Sequence, residues 1–125
     1  MGPQVKAYDA GADVFARAAA GLTGRQCAKA LKMANFGRYL ARTVQTGLNL
    51  KRGAQAWEAK DRAALLSVAR DEYANAKAAI PLVETDSRLG WEPTMEYGGG
   101  REQIEWKLRK MEDLYGKTAL TGQPR

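Results

Sequence analysis

The stretch RQCAKALKMANFGRYLARTVQTGLNL, residues 25–50, decides the fold class, because its large apolar residues recur at a helical spacing. Residues three or four positions apart share one side of an α-helix. The stretch therefore predicts a central helix whose buried stripe is formed by Met33, Phe36, Leu40 and Val44. Gly37 lies inside this helix at a cost of about 1 kcal/mol relative to alanine. It either allows close approach of a second helix or is simply tolerated.

Segments on both sides of this stretch have the same periodicity. Residues 4–20 predict a first helix that ends at Gly21 and Gly24, with an apolar stripe of Val5, Tyr8, Ala12, Phe15 and Ala19. After Gly53 a third helix is predicted from about Ala54 or Asp61, and Pro81 should stop or kink it. Its stripe is Leu65, Ala69, Tyr73, Ala76 and Ile80.

The last periodic segment follows three glycines at 98–100, and its stripe is Ile104, Leu108, Met111 and Tyr115. Sustained strand-like alternation is missing from the sequence. We therefore expect an all-α antiparallel bundle of about four helices, with a long loop before the last one. Residues 1–115 form a single domain in this prediction, and 116–125 a flexible tail. Much of the apolar content is alanine, so the core should depend on a few large residues: Phe36, Leu40, Leu66, Tyr73, Trp106 and Met111.

Charge is distributed unevenly along the chain. Up to Ala56 there are nine Lys or Arg against two Asp, hence +7, and the rest has eleven against twelve, hence −1. A basic half can bind nucleic acid or another acidic partner. The candidate residues for this alternative are Arg38, Arg42, Lys51 and Arg52, although such a cluster is more often a solvated helix face.

The composition excludes several kinds of chemistry. With no histidine and one cysteine, Cys27, the chain has no catalytic triad and no structural zinc site. We expect no cofactor and no metal. No stretch reaches the roughly 18 uncharged apolar residues of a membrane span, and a single cysteine favours a reducing, cytoplasmic location.

The segment ETDSRLGWEPTMEY, residues 84–97, is the one most typical of a binding loop. It lacks helical periodicity and combines acids, an arginine and two large aromatics, a set that suits a sugar. The candidate ligand-binding residues are Glu84, Asp86, Arg88, Trp91, Glu92, Glu96 and Tyr97. In the alternative, structural interpretation, Trp91 plugs the end of the bundle and Arg88 pairs with Asp86 or Glu92.

Several strings resemble a known class of proteins. NFGRYL at 35–40, NLK at 49–51 and, above all, AIPLVE at 79–84 running into 86–97 resemble the C-terminal helical region of large bacterial glycoside-hydrolase-like proteins, of the alpha-glucuronidase and hexosaminidase type. The resemblance covers about residues 24–114. Gly98–Arg101 departs from the acidic or polar spacer of that class.

The resemblance implies a function for this chain. In such proteins catalysis comes from a barrel of about 250 residues, and the helical region packs against the barrel. We therefore expect a non-catalytic accessory domain with a larger protein partner and a carbohydrate near residues 84–97. The alternatives are a small basic module that binds nucleic acid or another acidic partner, and a helical assembly domain that self-associates, which would need an exposed apolar face.

Overall fold

A computed structural model describes residues 1–86, 88–89, 91–92, 97–98 and 100–122, with the backbone alone at 91–92 and 97–98. The described part of the chain is helical apart from short connections and one pair of two-residue strands, so the all-α class is confirmed. In chain order the elements are α1 (Pro3–Ala20), α2 (Gly24–Glu58), α3 (Arg62–Thr85), β1 (Trp91–Glu92), β2 (Tyr97–Gly98), α4 (Arg101–Tyr115) and α5 (Lys117–Thr121). The strands are antiparallel, with Trp91 opposite Gly98.

The first and fourth helices begin and end where the sequence predicts. Pro3 occupies the first turn of α1, where the missing N–H costs nothing. At its C-terminus the Gly21 N–H donates to the Ala18 carbonyl and the Leu22 N–H donates to the Ala19 carbonyl, both at 3.1 Å. Gly116, with φ of 80°, ends α4.

The second and third helices run further than predicted. Residue Gly53 does not end α2, and a Cβ atom placed there would lie at an ordinary contact distance of 3.7 Å from Val68 Cγ1, so packing against α3 does not require a glycine here. Helix α3 continues through Pro81 to Thr85. Its last turn is held by the buried Val83 and by a hydrogen bond from Thr85 Oγ1 to the Leu82 carbonyl at 2.8 Å.

A fifth, short helix lies within the segment predicted to be a flexible tail. Leu120 of α5 is 4% exposed and belongs to the same core cluster as Tyr73 and Leu108. Arg70 Nε donates to the Ala119 carbonyl at 2.5 Å. Hydrophobic periodicity could not predict this element, because a five-residue helix is too short to show a stripe.

Consecutive long helices are antiparallel neighbours. Asp9 pairs with Arg42 and Asp13 with Arg38, so α1 and α2 run in opposite directions. Equivalent contacts join α2 to α3 and α3 to α4. Among the described helices, α1 packs extensively against α2 alone. The four long helices therefore form a succession of antiparallel pairs, and the closed four-helix bundle is not confirmed.

The side of α2 that is buried differs from the prediction. Its buried residues are Ala34, Ala41, Asn49 and Ala56. Ala34 and Ala41 face helix α1, which packs closely enough to require small side chains, whereas Asn49 faces α3. A Cβ atom on Gly37 would lie 3.1 Å from Ala12 Cβ, which confirms the close approach considered for this glycine. Phe36 is 44% exposed.

The expected large core residues have mixed outcomes. Tyr73 is buried, and Met111 packs against its cluster. Leu40 and Leu66 are half-buried. Trp106 is 58% exposed, and its placement in the core was wrong. The core is accordingly poor in large side chains.

Candidate functional site

The start of the predicted binding loop is held by ion pairs. Arg88 donates from Nε to Asp86 Oδ1 at 2.9 Å and from Nη2 to Asp86 Oδ2 at 2.7 Å. These hydrogen bonds hold the pKa of Asp86 well below its usual range. Glu84 accepts a hydrogen bond from Arg101 of α4. Two of the seven candidate residues are thus engaged with each other, as in the structural interpretation, and a third joins α3 to α4.

The remaining loop candidates fall outside what the structure describes. Glu96 is not among the described residues, and neither are the side chains of Trp91, Glu92 and Tyr97. The backbone pairing of β1 and β2 brings 91–92 and 97–98 side by side. Their roles in ligand binding stay predictions.

Most of the predicted basic patch is neutralised by neighbouring acids. Arg42 Nη2 donates to Asp9 Oδ2 at 2.8 Å, and Arg38 contacts Asp13 at 3.3 Å. Arg52 pairs with Asp71 at 2.8 Å. Lys51 is exposed on α2. The four residues therefore do not form a continuous surface of free cations.

A buried polar cluster joins α2, α3 and α4. Glu72, 8% exposed, accepts hydrogen bonds from Thr46 Oγ1 at 2.8 Å, from Asn49 Nδ2 at 2.7 Å and from Lys107 Nζ. Asn75 Nδ2 donates to the Arg42 carbonyl at 2.9 Å. Sequence reasoning missed this cluster. The available signal was that Glu72 stands three and four positions from the stripe residues Ala69 and Ala76.

An apolar surface lies along one side of the α1–α2 hairpin. Consecutive helical residues point about 100° apart, so Tyr8 and Asp9 lie on opposite flanks of the contact with α2. Leu40 and Arg42 flank the buried Ala41 in the same way. Because Arg42 pairs with Asp9 on one flank, Tyr8 and Leu40 share the other. We call this other flank the hairpin face; it comprises Tyr8, Phe15, Leu22, Met33, Leu40 and Val44.

The hairpin face is left open by the other helices. The exposed fractions are 40% for Tyr8, 41% for Phe15, 38% for Leu22 and 46% for Met33. Helix α3 lies on the opposite flank, since its Asn75 binds the Arg42 carbonyl. The stripe predicted on residues 25–50 is therefore largely a surface feature of the described structure.

A second apolar surface lies near the other end of α2. We call it the Trp57 groove, a cleft of about 420 Å³ between α2, α3 and α4. Asn49, Glu58 and Glu72 supply its polar lining. Its large apolar lining residues are Leu50, Trp57, Leu65, Met111 and Tyr115. The prediction missed it because it ended the second helix near Leu50, whereas α2 runs to Glu58 and carries Trp57.

The described residues form neither a metal site nor a membrane-spanning helix. Among the described residues, no group of three His, Cys, Asp or Glu side chains is placed to hold a metal ion. Cys27 is free and half-buried. None of the helices in the described ranges is both long enough and apolar enough to span a bilayer.

No protein-family model, curated protein or solved structure matches this chain. These comparisons therefore give no link to glycoside-hydrolase-like proteins.

Proposed function

We propose that this chain is a non-catalytic helical accessory domain that packs its hairpin face against a larger protein. The single observation that carries the proposal is the row of large apolar side chains left 38–46% exposed along that face. Contiguous apolar surface of this kind is characteristic of interaction sites.

The total surface of the chain supports the same proposal. A compact monomer of 13.7 kDa exposes about 6,600 Å² by the usual scaling of surface with mass. This chain exposes 8751 Å². A partner lying on the hairpin face would cover part of the difference and complete the antiparallel bundle expected from the sequence.

The class of the larger protein is proposed from the resemblance of residues 79–97. It is a carbohydrate-active, glycoside-hydrolase-like protein whose barrel supplies catalysis, while the helical domain supports the barrel and residues 84–97 contribute to a sugar site. A barrel of about 250 residues exceeds the 125 residues of this chain. In this proposal catalysis therefore lies outside these 125 residues, in a barrel on the same or on another chain.

The alternative of a basic module that binds nucleic acid has less support. Nucleic-acid affinity depends on cations that are free to neutralise phosphates. Arg38, Arg42 and Arg52 are each paired with an aspartate, so binding would have to break these pairs. The ion pairs thus favour the accessory-domain proposal.

The proposal is tested by co-expression with barrel proteins encoded beside this chain. We expect the two to co-purify, and we expect Phe15→Asp to abolish the complex by placing a charge on the hairpin face. Val14→Asp is the matched control, because Val14 is 56% exposed on α1 but lies off the face. Turnover of aryl glucuronides or hexosaminides by the isolated chain would contradict a non-catalytic role.

A further inference from the structure

Large apolar side chains of the Trp57 groove are exposed to solvent. Trp57 is 74% exposed, Leu50 69% and Tyr115 40%. A buried aromatic side chain removes about 150–250 Å² from water, so covering Trp57 alone is a large favourable contribution. Large aromatics of this kind are the usual energetic centre of a protein interface.

The charges around the groove have both signs. Glu58 lines the groove itself, while Lys60 and Arg62 lie beyond Trp57 and Leu65 in the adjoining cleft. All three charged residues are exposed, and none is in an ion pair with another described residue. The intervening Asp61 caps α3, its Oδ1 accepting from the Ala64 N–H at 2.9 Å. An acid therefore lines one cleft and two cations line the adjoining one, and the two clefts share Trp57 and Leu65.

This arrangement is complementary to itself. In a two-fold interface the same patch occurs on both sides, so residue i meets residue j of the other copy and j meets i. A two-fold axis close to Trp57 would allow Glu58 of each copy to pair with Lys60 and Arg62 of the other. A partner of a single charge sign would match only half of the patch.

The available area also fits a second copy. A standard interface covers about 800 Å² on each partner. Removing that amount from 8751 Å² leaves this chain with more surface than the roughly 6,600 Å² of a compact monomer. The chain can therefore bury an interface of this size and still expose at least as much surface as a compact monomer.

We propose that the Trp57 groove is the interface of a symmetric homodimer, with the two Trp57 side chains near the two-fold axis. Glu58 pairs across the interface with Lys60 and Arg62. Thirteen positions of α2 separate Trp57 from Val44, the nearest member of the hairpin face on this helix, which is about 20 Å along the helix axis. The dimer is thus independent of the partner proposed for the hairpin face, and either proposal can fail alone.

The first test measures mass against concentration for the full chain by sedimentation equilibrium. We expect the mass to rise from 13.7 kDa to twice that value between micromolar and millimolar concentrations. Trp57→Ala should raise the dissociation constant at least about tenfold, as expected for a central aromatic. Trp106→Ala is the matched control: Trp106 is 58% exposed on α4 and does not line the groove. Circular dichroism should show both variants folded.

The second test exchanges the charges. Glu58→Lys alone, and Lys60→Glu with Arg62→Glu, should each abolish the dimer because like charges then meet across the axis. Mixing the two variants should restore a dimer containing one copy of each, since every pair is again of opposite sign. A parent chain that stays monomeric, a dimer that Trp106→Ala disrupts as strongly as Trp57→Ala, or mixed variants that stay monomeric would each overturn the proposal.

Discussion

The α1–α2 contact and the α2–α3 contact lie along the same central helix, but different physical features stabilise them. Towards α1, helix α2 presents Ala34 and Ala41, both fully buried. Towards α3 it presents Thr46 and Asn49, which donate to Glu72. The first contact depends on small volume and the second on buried hydrogen bonds. One helix can therefore be sensitive to added atoms on one side and to lost polar groups on the other.

The largest effect should come from the polar contact. Glu72→Ala leaves the 1% exposed Asn49 without its acceptor and opens a cavity, so we expect a loss of about 2–4 kcal/mol in the free energy of unfolding. The measurement is the urea midpoint at constant m-value. Asp71→Ala is the neighbouring control. Its ion pair with Arg52 is about half exposed, and its removal should cost less than about 1 kcal/mol. Equal losses would show that the buried cluster contributes nothing special.

The alanine contact should respond to added volume instead. Ala41→Leu inserts three carbon atoms where α1 and α2 touch, and overpacking of this kind costs about 1–3 kcal/mol. Ala28→Leu adds the same atoms at an exposed position of the same helix and should change stability by no more than about 0.5 kcal/mol. Thermal or urea unfolding of the two variants measures the difference. If Ala41→Leu is as stable as the parent, α1 and α2 can move apart without a cost in the free energy of unfolding.

The sequence predicted where the long helices lie better than it predicted which of their faces are buried. Helices α1 and α4 have clear terminal signals, Pro3 and Gly21 for one and Gly116 for the other. Gly53 was expected to separate two helices and Pro81 to stop or kink one, but α2 continues through Gly53 and α3 continues through Pro81 to the buried Val83 and beyond. Local propensity is a weak guide where tertiary contacts are strong.

The buried side of α2 escaped prediction for a related reason. Hydrophobic periodicity gives weight to large side chains, and it selected Met33, Phe36, Leu40 and Val44. A close helix contact instead selects small ones, so Ala34 and Ala41 face α1. In the predicted binding loop, likewise, the sequence indicated only a local contact. Asp86 and Arg88 do meet, but their pairing reflects spacing along the chain, whereas the Trp57 groove needs three helices to be placed first.

The third contact, between α3 and α4, combines apolar packing with a hydrogen bond. We expect its variant to show the smallest change in the free energy of unfolding. Tyr73 is 5% exposed within the apolar cluster, and its hydroxyl donates to Glu112. Tyr73→Phe keeps the ring packing and removes one hydrogen bond, so the expected loss at neutral pH is about 0.5–1.5 kcal/mol. If the polar bond contributes nothing here, the variant will match the parent, and the α3–α4 contact will resemble the alanine contact in needing only shape.

Alkaline pH sharpens the same comparison. Burial, together with the neighbouring Glu112 carboxylate, raises the pKa of Tyr73 from 10.0 to about 12. A raised pKa means that the folded chain holds the proton more tightly, so this contribution to stability is complete below pH 10 and is lost as the pH rises through about 12. The phenylalanine ring of the Tyr73→Phe variant has no proton to lose. The stability advantage of the parent over this variant should therefore shrink across this window, as measured by urea midpoints at successive pH values.

In Glu112→Gln the pKa of Tyr73 should fall part of the way back, because burial remains while the carboxylate charge is gone. An advantage that stays constant to pH 12 would show that Tyr73 ionises alike in the folded and unfolded chains, and that its hydroxyl is not held as the structure has it.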